Sequence, residues 1–240
     1  YTLETAECIK YANNSFLATK ISFINEFANI CERVKGVDIT NIAKAIGLDF
    51  RINPRFLQAG AGFGGSCFPK DVKAMIKFAK EHSYEPKLLE SVMSVNEHQA
   101  KRMIELAENL TGSLEGKKIA ILGLSFKPDT DDMRSAPSLT IIRDLLQKGA
   151  LVVAWDPQAI NEARKEHWLG EKIIYANTLQ NALKDADVCM LVTDWDEFKK
   201  LSPENFLIMK TPILIDGRRI YDYNKFIQAG IKYAGIGLGI

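Results

Sequence analysis

The sequence predicts a chain in two parts: an all-α dimerisation domain ending in a long connecting helix, then an α/β Rossmann-like domain with a parallel sheet. Three observations predict it. Up to about residue 112, apolar residues recur at intervals of three and four, the helical period. From Ser113-Leu114-Glu115-Gly116 onward the pattern changes to short apolar runs separated by helical stretches, as strand-helix-strand units require. Between the early helices lies Gly60-Ala61-Gly62-Phe63-Gly64-Gly65-Ser66-Cys67-Phe68-Pro69-Lys70-Asp71, the stretch around which the chain is organised. The expected domains are 1–112 and 113–240.

A chain of 240 residues is long enough for two modest domains, each with its own core. A net charge of +1 with no basic block excludes nucleic acid and anionic membrane as natural partners. No apolar run approaches the length of a membrane span. The opening Tyr1-Thr2-Leu3-Glu4 enters a helix without a methionine, as a fragment of a longer protein would. Cys8, Cys31, Cys67 and Cys189 have no zinc-site spacing, and no metal is expected. Cys8, Cys31 and Cys189 sit in apolar periodic segments and read as small core residues, a usage suited to a reducing cytoplasm.

The first helix is expected from about Thr2 to Lys35, closed by Gly36, with Ile9, Ala12, Phe16, Ile24, Phe27, Cys31 and Val34 as its apolar stripe. Lys10 and Asn14, four apart, share one face, which spacing alone reads as solvated. The Asn13-Asn14 pair is a local cost in a helix interior. Asp38 or Thr40 caps a short second helix that stops at Gly47. A third runs from Pro69 to about His82, and a fourth from near Pro86 to Thr111-Gly112. The buried side of the fourth is expected to be Leu88, Leu89, Val92, Val95, Met103, Leu106 and Leu110. At about 25 residues, or ~37 Å, it exceeds what a small helical domain needs, so it is expected to form the axis of a homodimer.

In the central stretch, four glycines in six residues let the backbone take positive φ or approach a ligand closely. With Pro69 as the first helical position, Cys67 stands at a helix N-terminus beside Lys70. Dipole and ammonium both favour its thiolate, the nucleophilic form. Gly60-x-Gly62-x-x-Gly65 matches a dinucleotide fingerprint as a string, but Asn53-Pro54-Arg55-Phe56-Leu57-Gln58 before it is not the strand that fingerprint needs.

In the second part the expected strands are 118–122, 151–155, 172–175, 188–192, 212–215 and 231–234, with helices at 138–148, 159–168, 178–184 and 223–229. Right-handed crossovers then make the sheet parallel, and ligands bind beyond the strands' carboxyl ends. Lys127 and Arg134 lie beyond the first strand, and Arg218 and Arg219 beyond the fifth. Cations at strand ends favour an anionic nucleotide ligand. His82, His98 and His167 form no cluster.

Three motifs, Glu7-x-x-Lys10-x-x-x-Asn14, Gly60 to Asp71, and Ile121 to Arg134 with Lys127-Pro-Asp-Thr-Asp-Asp-Met, together resemble the UDP-glucose/GDP-mannose dehydrogenase family. Asp216-Gly217-Arg218 is a fourth, weaker match, and the glycine-cysteine loop is most like that of the UDP-glucose branch. The resemblance implies an N-terminal NAD-binding domain, a helical dimerisation domain and a nucleotide-sugar domain; this chain matches the last two. It therefore implies a fragment inactive alone, lacking the main NAD site. The implied reaction is a double oxidation of a nucleotide sugar's C6 alcohol through a thiohemiacetal and thioester on Cys67. Lys10 and Asn14 would stabilise the oxygen, and Asp71 would orient or deprotonate water or sulfur. Phe56, Leu57, Gln58, Ala59, Gly60, Phe63 and Gly64 would line the UDP-sugar, Lys127 would meet its uracil or ribose, and Arg218 its sugar. Arg51 would reach the neighbouring subunit's site, and Lys70 and Arg134 would touch NAD. A GDP-mannose dehydrogenase and a non-catalytic nucleotide-sugar-binding dimer remain as alternatives, and a thiol hydrolase lacks a histidine partner motif.

Overall fold

The computed structural model describes residues 1–240. Helix α1 spans Leu3–Cys31, started by the Thr2 side chain accepting from the Thr5 N–H. A short turn carries the chain to Gly36 at φ 81°, where the sequence places the stop. The expected apolar stripe is not the buried one. Ile9, Phe16, Phe27 and Val34 are exposed, whereas Ser15, Ala18, Ser22, Asn25 and Ala28 face inward beside Ile24 and Cys31. Small and polar residues let α1 lie close to its neighbours, as the Ser22 hydroxyl bonding the Val92 carbonyl at 2.8 Å illustrates. Cys8 lies on the fully exposed first turns and is not a core residue.

Helix α2 covers Ile39–Ile46 between an Asp38 cap and Gly47. Helix α3 covers Phe68–Glu81, so Pro69 is its second residue and Cys67 its N-cap. Helix α4 covers Lys87–Thr111. Leu88 is exposed, but Met103, Ile104, Leu106 and Ala107 enter the largest core, which also contains one face of the sheet. The length of α4 is thus used within one chain: its first half packs on the helices and its second half on the sheet.

The sheet order is β3-β2-β1-β4-β5-β6, all parallel, built from β1 (Lys118–Leu122), β2 (Leu151–Trp155), β3 (Ile174–Tyr175), β4 (Val188–Leu191), β5 (Ile213–Asp216) and β6 (Lys232–Gly235). Strand alternation divides it cleanly. Ile119, Ile121, Val152, Met190 and Ile215 face α4 and α5 (Pro137–Gln147), while Leu122, Val153, Cys189 and Leu214 face the opposite layer. That layer holds α7 (Leu179–Leu183), α8 (Asp196–Lys199) and α9 (Tyr223–Gln228); α6 (Ile160–Lys165) follows β2. The expected 172–175 strand starts only at Ile174, because Lys172 closes a 3₁₀ turn Gly170–Lys172, and the helix expected over 159–168 ends at Lys165. Helix α8 and the 3₁₀ turn Pro203–Phe206, both short, have no counterpart among the expected elements.

The chain end threads back into the α1–α2 corner. Gly36 N–H donates to the Gly239 carbonyl, Ile39 N–H to Gly237, and Gly239 N–H to Val37. Glu32, nearly buried, accepts from the Gly237 N–H and pairs with Arg102, and Arg219 pairs with Asp38 at 2.8 Å. Burial opposes the charge on Asp38, and the Arg219 guanidinium outweighs it, holding the carboxyl below its usual range.

Candidate functional site

The expected nucleophile and its companions come together from two helices. Asp71, on the first turn of α3, is completely buried. Its Oδ2 accepts from Asn14 Nδ2 at 2.7 Å and lies 3.2 Å from Lys10 Nζ. Lys70 Nζ lies 3.6 Å from Oδ1. Lys10 and Asn14 reach one carboxylate because four residues of α1 bring them to the same side; Asn14 is thereby compensated for its helix-interior position. Burial opposes ionisation of Asp71, but the Asn14 amide and then the Lys10 ammonium hold it below the usual carboxylate range. The bond to Asp71 pushes the Lys10 pKa up.

Cys67 is exposed at the N-cap of α3, and its carbonyl accepts the Asp71 N–H at 2.8 Å. Cys31 and Cys189 are buried thiols, which burial pushes up.

The glycines before Cys67 lie under cover rather than in the open, pressed against protein backbone. A Cβ on Gly60 would stand 2.7 Å from the Gly217 carbonyl, and one on Gly64 2.4 Å from that of Ser135. One on Gly65 would meet the Phe126 ring at 2.7 Å. Ala61 N–H donates to Gly217 and Gly65 N–H to Arg134, so the loop is fastened across the carboxyl ends of the sheet. Arg218 reaches the same seam, its Nε donating to the Val192 carbonyl at 2.6 Å and its Nη1 approaching Gly62 at 3.4 Å. It forms no ion pair with any carboxylate of the chain. The loop after β5 that carries Arg218 is held by Asp216, which accepts four backbone N–H groups from residues 218–221 and the Tyr233 hydroxyl.

The remaining expected contacts divide by exposure. Lys127 is exposed above Phe126, and Arg134 is exposed but paired through two nitrogens with Asp132. Gln58 is exposed and Phe56 partly so, the latter at φ 66°, a conformation that costs a non-glycine residue energy. Leu57, Ala59 and Phe63 turn their side chains into the core. Arg51 stands apart from the cluster, exposed and paired with Asp49. The three histidines are exposed. Amides on α1 and α4 that hold the loop, Asn25 and Gln99 buried and Asn29 and Asn96 half-buried, are absent from the expected site residues; their signal is Asn96 and Gln99 falling between Val92 and Met103 at spacings of four, three and four.

The strand order is that of a dinucleotide-binding sheet, with its switch point between β1 and β4. Its carboxyl end does not fit a dinucleotide. Asp156, just beyond β2, stands where such folds offer an acid to ribose. Here it is buried and accepts from the backbone of Leu124, Ser125, Gln158 and Ala159 and from the Trp195 indole at 3.1 Å. Gly123, at φ 98°, closes the turn tightly on Thr193, whose hydroxyl bonds the Ser125 carbonyl.

Two family models match: the UDP-glucose/GDP-mannose dehydrogenase central domain over residues 4–98, and the UDP binding domain of the same family over 120–223. The chain is 48% identical over 98% of its length to UDP-glucose 6-dehydrogenase TuaD of Bacillus subtilis, and 43% identical over 98% to the UDP-glucose 6-dehydrogenase of Rhizobium meliloti. It covers 50% and 54% of those two proteins, so it spans about half the length of the relatives it matches. A UDP-glucose dehydrogenase structure from Pyrobaculum islandicum superposes with a TM-score of 0.88 at 37% identity, over 98% of this chain and 51% of that one.

Proposed function

We propose, from the premise that the chain belongs to the UDP-glucose/GDP-mannose dehydrogenase family, that it is the nucleophile-bearing and nucleotide-sugar-binding portion of an NAD-dependent UDP-glucose 6-dehydrogenase. Residues 1–112 supply the catalytic loop and residues 113–240 the UDP site. The observation that carries this reading is the exposed Cys67 at a helix start, beside the Lys10–Asn14–Asp71 cluster and at the carboxyl end of the sheet. When bound, NAD supplies hydride acceptance. The saturated Asp156 gives it no place in this sheet, and only the exposed Lys70 and Arg134 are offered toward it.

The chain's own residues act on the carbonyl carbon. The Cys67 thiolate adds to the C6 aldehyde, a C–S bond forms, and the carbonyl π pair moves to oxygen, which takes a proton to give a thiohemiacetal. Lys10 and Asn14 are donors suited to that oxygen. At the thioester stage, water adds to the carbonyl carbon, the C–S bond breaks and the thiolate leaves, and both protons of the water are released as the carboxylate forms. Asp71, kept ionised by its neighbours, orients that water. Phe56, Gln58 and the loop of Leu57, Ala59, Gly60, Phe63 and Gly64 line the sugar nucleotide, with Lys127 and the unpaired Arg218 as its cations. Arg51 serves the partner's site across a homodimer. The exposed aromatic side of α1, Phe16, Phe23 and Phe27, is the apolar surface that such a dimer would cover. The free state of all four thiols accords with a cytoplasmic enzyme.

The test is a calorimetric titration of this chain with UDP-glucose and GDP-mannose, and NADH production by an enzyme completed with its N-terminal domain. Binding of UDP-glucose, with acid formation lost in Cys67→Ala but binding kept, is expected. Binding of the guanine nucleotide alone, or acid formation without Cys67, refutes the assignment.

A further inference from the structure

We propose that a clasp of side-chain amides, Asn96 and Gln99 on α4 with Asn25 and Asn29 on α1, positions the glycine loop for the nucleotide sugar; the proposal rests on the reading of that loop given above. Asn96 grips Phe63 at both polar groups, accepting its N–H at 2.7 Å and donating to its carbonyl at 3.0 Å. Three residues back along the loop Gly60 is gripped in the same way. Its N–H donates to Asn25 Oδ1 at 2.8 Å, and its carbonyl accepts from Gln99 Nε2 at 2.9 Å. Asn29 Nδ2 then braces Gln99 Oε1 at 2.8 Å. One helical turn of α4 separates the two grips and a matching three residues separate the gripped points. Between them Gly62, at φ 102°, presents its carbonyl to Arg218, and a Cβ there would stand 3.0 Å from Asn96 Oδ1.

Asn25 and Gln99 are fully buried, and Asn25 Nδ2 and Asn29 Oδ1 have no partner. A buried network with unpaired groups is inferior to apolar side chains of equal volume as a source of stability. What it supplies is direction: it fixes both peptide faces of a loop that glycine leaves conformationally free.

Gln99→Met and Asn96→Leu keep volume and remove the bonds, and Ile231→Val, in the core beyond the far face of the sheet, serves as a packing control. Amide hydrogen exchange across 57–65 and calorimetric titration with UDP-glucose are measured in all three. Both amide variants are expected to speed loop exchange tenfold or more and to raise the UDP-glucose Kd at least tenfold, with the control within twofold of the unmodified chain. Unchanged loop exchange in a folded variant, equal effects in Ile231→Val, or a loosened loop with unchanged Kd overturns the proposal. Should Gln99→Met fail to fold, Asn96→Leu, at a half-buried position, decides the same comparison. If the unmodified chain takes no UDP-glucose, the functional reading falls, and selective loosening of the loop alone upholds or overturns the clasp.

Discussion

Asp71→Asn probes the centre of the cluster with a change of one atom. The carboxylate is buried, and its bond from the half-buried Asn14 at 2.7 Å is charge-assisted. Such bonds contribute about 1.5–3 kcal/mol. Lys10 is largely solvent-exposed, so its attraction is screened and is left out of the sum. Asp71→Asn leaves Asn14 an amide oxygen to donate to and removes only the charge, so it is expected to lower stability at pH 7 by about 1–1.5 kcal/mol, the difference between a charged and a neutral bond. The pH dependence has a definite sign. The folded carboxyl titrates below its unfolded value, so its contribution is complete above the unfolded pKa of about 3.9 and is lost as pH falls through the folded pKa. Urea unfolding of both proteins at pH 7 and across the acid limb measures the gap. It should narrow steadily below about pH 4. A gap of the same size throughout, or none at pH 7, refutes the account of Asp71 as a carboxylate held ionised by Asn14.

Three further outcomes are expected. Iodoacetamide at neutral pH should label Cys67 ahead of Cys8, the other exposed thiol, with Cys31 and Cys189 protected until unfolding; peptide mass mapping reads the order. Gly237→Ala should cost about 2–5 kcal/mol in urea unfolding, from a left-handed backbone plus overpacking. That glycine sits at φ 74°, and an added Cβ would stand 2.3 Å from Ile39. Arg219→Met should cost about 3–5 kcal/mol by leaving Asp38 nearly buried without its partner, and Asp38→Asn in the same background should recover part of it.

Much of this architecture was legible because its signals are local. The strands 118–122 and 151–155 were read to the residue, since short apolar runs bounded by glycine or proline have few alternatives. Caps at Asp38, Gly47 and Gly112 set helix ends within a residue. The Lys10–Asn14–Asp71 meeting was half legible: helical spacing aligned the first two, but only folding brings α3 to them. What misled was hydrophobicity taken as burial. On α1 the aromatic side faces outward and serine, alanine and asparagine face inward, because close packing against α3 and α4 favours small side chains and the loop needs amide partners. The glycines were read as room for a ligand, whereas three of them provide room for carbonyls and a ring from the α/β part.

Arg218 and Arg219 are consecutive, yet one guanidinium points to the crevice above the sheet and the other is anchored in the corner of the first two helices. A displacement of that corner cannot leave the neighbouring cation where it was, since a single peptide unit joins them and Asp216 grips both amides. The helical corner and the Arg218 guanidinium therefore move as one piece. Any hinge that opens this crevice has to lie elsewhere than at this joint.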